Sequence, residues 1–210
     1  MEIQNLIIAL PVLFFAIVIH EFAHGWMAGR CGDLTARQMG RLTLNPLAHI
    51  DPMGTVLLPI FLVMIKSPIL FGWAKPVPIN PLNFRNPKRD IIWVGLAGPL
   101  TNLMVALICS LILRLPFLGL AQFPYILLIL EMGVFINLIF AVFNLIPVPP
   151  LDGSRILVGL LPHQLAYKFS RLDQYGFIIL IALLYLGIIN FILGIVVTPL
   201  YNLLMGGIGV

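Results

Sequence analysis

Residues 5–19, NLIIALPVLFFAIVI, run without a single charge into His20-Glu21-Phe22-Ala23-His24. The apolar run with its continuation covers about 5–28, which meets the ~20 residues that a membrane-spanning helix needs. In hydrocarbon a segment must satisfy its own backbone polar groups, so a single apolar run of this length reads as a helix. On a helix, His20 and His24 stand one turn apart on one face, where both imidazoles can hold one Zn2+. Glu21, beside the first of them, is then placed to take a proton from water at the metal. The competing reading is a pair of histidines hydrogen-bonded between helices. Ionisable groups at the end of such a run are costly unless they bind something or face a wet cavity, which favours the metal. His20 lies about 22 Å along the helix from Asn5, near its far end.

The rest of the chain has the same character. Of its 210 residues, 60% are hydrophobic and 10% charged, and the mean hydropathy is +1.07. This is the composition of an integral membrane protein, with no room for a soluble domain of ordinary size. The net charge of +4 comes from basic residues in the loops between apolar runs. They read as topology signals in contact with a lipid bilayer, and nucleic acid is not an expected partner. Cys31 and Cys109 form no CxxC pair and no disulfide framework. The N-terminus carries Glu2 and no Lys or Arg ahead of the apolar run, a poor signal peptide that is expected to be retained.

Four apolar segments, about 5–28, 91–115, 124–148 and 176–204, are long enough to span. Pro199 is expected to kink the last or end it early. A fifth, 53–72, is interrupted by Pro59, Lys66 and Pro68. Asp51-Pro52 before it has the form of an N-cap followed by a first-turn proline, so a short helix from 53 to about 65 is expected. Charge indicates that this segment dips into the membrane and returns. With a return, eleven of the twelve Lys and Arg residues fall on one side, Arg114 being the exception, and that side is the cytoplasmic one. The fold expected is therefore an all-α polytopic membrane protein. It has about four spanning helices, one re-entrant helix or extended element, and a zinc site near the cytoplasmic face. The chain reads as a single membrane domain over 1–210, with a core at 5–160 and a C-terminal spanning helix at 176–204.

A catalytic zinc takes three protein ligands and leaves one position open. Cys31, His49 and Asp152 are the candidates for the third. Asp152 can reach His20 only if the 124–148 helix ends on the same face. That requires an even number of crossings between 53 and 90, the topology that the charges also demand. Asp152 belongs to Asn144-Leu-Ile-Pro147-Val-Pro149-Pro150-Leu151-Asp152-Gly153. Its prolines end the helix and leave irregular backbone at membrane depth, tolerated only inside protein or beside water. Gly153 would allow a sharp turn. In Gly95-Leu-Ala-Gly98-Pro99-Leu-Thr-Asn102, the small residues permit close helix contact, and Asn102 can bond to a freed carbonyl or to a ligand.

Taken together, these three motifs resemble the site-2 protease family of intramembrane zinc metalloproteases. They occur in the family's order, and the resemblance covers residues 10–160. The stretch Asn45-Pro46-x-x-His49-x-Asp51-Pro52 is similar to the compact prokaryotic members, and no PDZ or CBS domain is recognisable. The resemblance implies one Zn2+ per chain on His20, His24 and Asp152, with Glu21 as the base. It places Asn144 close to the metal, and Asn144 and Asn102 are candidates to hydrogen-bond substrate or a developing oxyanion. It also implies a membrane-embedded β-hairpin near 69–80. Phe71, Gly72 and Trp73 are candidates there for an edge strand that takes up unwound substrate. The expected activity is hydrolysis of transmembrane protein substrates at a prokaryotic plasma membrane, with the site towards the cytoplasm. A membrane zinc carrier and a catalytically idle binding protein are the alternatives. A carrier would be expected to have ligands along a path through the bilayer, and an idle site has no need of Glu21. Glu131 lies in the outer half and suggests a structural or gating role, paired with Arg114, solvated or protonated.

Overall fold

The computed structural model describes residues 3–65, 74–115 and 122–206. Its α-helices are α1 (Ile3–Cys31), α2 (Thr35–Gln38), α3 (Leu58–Met64), α4 (Pro87–Leu113), α5 (Pro124–Leu145), α6 (Asp152–Leu160), α7 (His163–Ser170), α8 (Gly176–Tyr185) and α9 (Ile188–Met205). No strand occurs among the described residues. Four of these helices, α1, α4, α5 and α9, are long and apolar enough to cross a membrane. Their outer faces carry exposed Leu10, Phe15, Met104, Leu107, Leu111, Phe135 and Ile195. That surface is insoluble in water and at home in lipid. The protein is an all-α polytopic membrane protein.

Helix α4 is the centre of the packing and touches α1, α5, α6 and α9. It begins at Pro87, where a missing N–H costs nothing. The Asp90 carboxylate accepts the Asn86 N–H at 2.8 Å and closes the first turn. Its C-terminal end holds α9: Arg114 donates to the carbonyls of Leu203, Leu204 and Gly206, and Ser110 to that of Leu204. Arg114 therefore caps a helix end, and no ion pair to Glu131 is present among the described residues.

The chain between α2 and α4 returns to the face it left. Asp51 caps the N–H groups of Met53 and Gly54, and a π turn over Pro52–Leu57 leads into α3. These six and seven residues reach about 20 Å, short of the ~30 Å hydrocarbon core. Lys75 then donates its N–H to the His49 carbonyl at 2.9 Å. Arg41 donates to the carbonyls of Lys75 and Pro76. Entry and exit thus lie side by side, as a re-entrant element requires.

The last apolar segment differs from the expected single helix. It is split at Gly187, whose φ of 73° is left-handed, into α8 and α9. The N–H of Gly187 returns to Leu184 O, the bonding of a glycine-terminated helix end. Only α9 is long enough to span. Pro199 does not end it; the helix runs on to Met205. Buried Leu180 and Ile189 on either side of the break pack with Ile146 and Leu151, so the hairpin braces the loop that presents Asp152.

One polar clasp fixes the C-terminal end of α1. Buried Asp33 accepts hydrogen bonds from the N–H and hydroxyl of Thr35, the N–H of Asn80 and the amide of Asn83. Burial works against its charge, but these donors outweigh it and hold the carboxyl below its ordinary pKa. A lowered carboxylate pKa stabilises the fold above the unfolded value of ~3.9 and is lost as pH falls through the folded value. Asp33→Asn should therefore cost about 1–3 kcal/mol at pH 7. The gap between wild-type and variant melting temperatures should close below about pH 4. Melting curves of both proteins across pH test this, and a gap independent of pH would refute it.

Candidate active site

His20 and His24 project from one face of α1 into the space between α4 and α6, and both are buried. His20 Nδ1 donates to Asn102 Oδ1 at 2.6 Å. His24 Nδ1 donates to Val94 O at 2.7 Å. Both acceptors belong to α4. The Asn102 amide is fixed in turn, since its Nδ2 donates to Ala16 O and to Asn137 Oδ1. Asn137 donates onward to Gly133 O. A buried relay through α5, α4 and α1 thus sets the tautomer of His20.

With Nδ1 donating on both rings, the neutral form of each imidazole presents a bare Nε2. These two atoms lie 3.0 Å apart, and each lies 3.0 Å from Asp152 Oδ2. Three lone pairs directed at one another repel unless a cation stands among them. A proton can serve in the metal-free protein. A metal ion fits the donor set better, because the edge of a tetrahedral zinc site is about 3.3 Å. Among the described residues, His20, His24 and Asp152 are the group whose ligand atoms converge in this way.

The placement of Asp152 follows from the sequence around it. Ile146 precedes a proline and is extended, which ends α5. The chain passes a cis Pro149–Pro150 bond and restarts as α6 with Asp152 in its first turn. Gly153 is not used for a sharp turn. A Cβ there would collide with the carbonyls of Leu145 and Ile146, so the glycine lets α6 seat against the end of α5. Gly98 has a comparable task on α4. A Cβ at this position would lie 2.5 Å from His24 Nε2 and 2.6 Å from His20 Cε1. The bare backbone of Gly98 is one wall of the site. Gly98→Ala should displace both rings and weaken metal binding by about 10–100-fold, as loss of ligand orientation does. Competition with a chelator measures it, and unchanged affinity would show that the rings do not need this wall.

A cavity of about 150 Å³ opens beside the triad, lined by Glu21, Pro76, Val77, Ile79, Phe140, Asn144, Pro150 and Arg155 together with the three candidate ligands. Glu21 Oε2 accepts the Val77 N–H at 2.8 Å. Asn144 lines this cavity, its Nδ2 bonded to Phe140 O at 2.9 Å. Asn102 does not line it; its hydrogen bonds are all made inside the protein, so it holds His20 and is not free for substrate. His49 donates Nε2 to Thr43 O, and neither it nor Cys31 joins the triad. Phe71, Gly72 and Trp73 lie outside the described residues. A larger cleft of about 420 Å³ between α1, α4 and α5 offers Asn137 and Cys109 but no imidazole or carboxylate.

Arg155 was legible only as a topology charge. In the fold it stands one turn after Asp152, with Nη1 3.7 Å from Asp152 Oδ1 and its side chain 46% exposed, so it places a positive charge at the rim of the cavity. The i, i+3 spacing from Asp152 would have placed it there once α6 was known to begin at that residue.

Known proteins are similar to this chain in sequence. The profile described as Peptidase family M50 matches residues 119–187. YwhC of Bacillus subtilis (strain 168) is 37% identical over 81% of this chain and 77% of its own length. Rip2 of Mycolicibacterium smegmatis is 31% identical over 80% of this chain and 63% of its own. The zinc metalloprotease MJ0392 of Methanocaldococcus jannaschii is 23% identical over 76% and 36% respectively. No solved structure matches at a significant level. On this similarity, the chain belongs to peptidase family M50, the site-2 protease family.

Proposed function

We propose that this protein is a zinc-dependent endopeptidase that cleaves peptide bonds within or beside transmembrane segments of other membrane proteins. His20, His24 and Asp152 are its metal ligands and Glu21 its base. The observation that carries the reading is the meeting of three ligand atoms, from His20, His24 and Asp152, beside the Glu21 carboxylate in one cavity against a helix long and apolar enough to cross a membrane. The name of the relative MJ0392 supports zinc as the ion. Zn2+, when bound, supplies Lewis acidity: it polarises a carbonyl and brings the pKa of water near neutrality.

The chain's own groups do the rest. Asn102 and Val94 keep both imidazoles in the tautomer that presents Nε2. Glu21 accepts the proton of the attacking water and delivers it to the leaving amide nitrogen. Asn144 and Arg155, on the cavity wall, are placed to stabilise charge on the substrate carbonyl oxygen. Phe140 packs edge-on against His20, ring centroids 4.8 Å apart, and forms part of the cavity wall. An intact substrate helix hides its carbonyls in its own hydrogen bonds, so substrate must unwind to enter. A carrier would need ligating groups along a path through the bilayer, and the donors here gather at one end of α1.

The deciding comparison is between host membranes containing wild-type protein and Glu21→Gln. Membrane-anchored fragments that accumulate only in the variant would be its substrates, and identical membranes would count against proteolysis. The location proposed is the prokaryotic plasma membrane, with the cavity towards the cytoplasm. Eleven of twelve basic residues on that side support this orientation. Leu82 is 90% exposed, so a cysteine placed there in a background lacking Cys31 and Cys109 reports it. An impermeant thiol reagent added outside should leave it unlabelled until the membrane is opened. Ready labelling from outside would overturn the orientation.

A further inference from the structure

Resting on the reading of Glu21 as the base, we propose that Val77 is its positioning residue, acting through the backbone N–H. Pro76 and Pro78 flank Val77 and have no amide hydrogen, so from 76 to 78 this N–H is the one backbone donor. It is spent on Glu21 Oε2 at 2.8 Å. The residue before a proline is also restricted to extended conformations, which limits where Val77 can direct its amide.

The side chain sets the depth of the contact. Val77 is buried and seats against Gly25, where an added Cβ would lie 2.8 Å from Val77 Cγ1. Gly25 follows Glu21 by four residues and so lies one turn along the same face of α1. The segment is anchored on both sides of this contact. Lys75 N–H donates to His49 O, Arg41 holds the carbonyls of Lys75 and Pro76, and Asn80 N–H reaches Asp33. A strap tied at both ends and notched onto α1 thus presents one amide to one carboxylate oxygen. Oε1 has no partner among the described residues and is left to handle the proton. The tether fixes which oxygen works and where it sits, without touching substrate.

The test replaces the Val77 amide by an ester, with α-hydroxyvaline at position 77 of the zinc-loaded protein in lipid nanodiscs. This deletes the N–H and keeps the side chain. On a single-span reporter that the wild type cleaves, kcat should fall about tenfold, the effect of losing a hydrogen bond to a charged group. KM, zinc content and melting temperature should stay. Unchanged kcat would overturn the proposal, as would a fall in kcat matched by loss of zinc. Amide exchange at Val77 gives a readout apart from activity. It should be slow in wild type and in Glu21→Gln, whose carbonyl still accepts, and at least about tenfold faster in Glu21→Ala. Equal exchange in all three would show that no tether exists. Cleavage that survives Glu21→Gln would instead remove the base assignment, a separate failure from that of the tether.

Discussion

Purified Glu21→Gln should retain one Zn2+ per chain and lose cleavage of a transmembrane reporter by about a hundredfold to ten-thousandfold, the range for a removed general base. Retention of metal is expected because Glu21 is not among the converging donors. Its carboxylate is turned instead to the Val77 amide on the cavity wall. Glutamine is nearly isosteric and keeps an acceptor for that amide, so the strap over 74–80 should remain seated. What it cannot do is take a proton. Elemental analysis and reporter cleavage on the same preparation give the result. Full zinc with full activity would exclude Glu21 as the base. Loss of zinc would mean that the carboxylate supports the metal and that the activity loss is indirect.

The features legible in the sequence are those written in local spacing. His20 and His24 are four residues apart on a helix that hydrocarbon enforces, so their common face follows from helical periodicity alone. The return of segment 53–72 to the face it enters from was read from the count of basic residues, which responds to the membrane and not to any contact; its residues 66–72 lie outside the described ones. Asp152 needed both arguments, since only an even number of crossings brings it to α1. What stayed hidden depends on the register between helices. Asn102 on α4 meets His20 at 2.6 Å because α1 and α4 are set at one particular height. Nothing in Gly98-Pro99-Leu-Thr-Asn102 states that height, so a residue that orients a ligand read equally well as one that contacts substrate. Gly98 is the same case: its small size was legible, but the imidazoles it makes room for were not. The break at Gly187 was missed for another reason. Apolar residues continue on both sides, and hydropathy does not distinguish a helix from a helical hairpin when both are buried in lipid.

Asp152→Ala should bind zinc at least a hundredfold more weakly than wild type, beyond the 10–100-fold that loss of a mere supporting partner costs. Two imidazoles would remain, and a two-ligand site is incomplete for a metal that takes three protein donors and one open position. The negative charge matters as well as the donor. Asp152 is buried, with Arg155 as its nearest cation at 3.7 Å, and it offsets part of the charge of a divalent ion held away from water. Removing it leaves that ion in a buried pocket with neutral ligands only. Asp152→Asn separates the two contributions: its oxygen can still coordinate, so a smaller loss than in Asp152→Ala would measure the donor and the remainder the charge. His49→Ala is the control, because His49 is directed at Thr43 O and lies outside the triad. Zinc titration of the three variants against a competing chelator reads the order directly. Undiminished affinity in Asp152→Ala would remove Asp152 from the site, and a loss in His49→Ala larger than in Asp152→Ala would move the third ligand to the re-entrant side of the cavity.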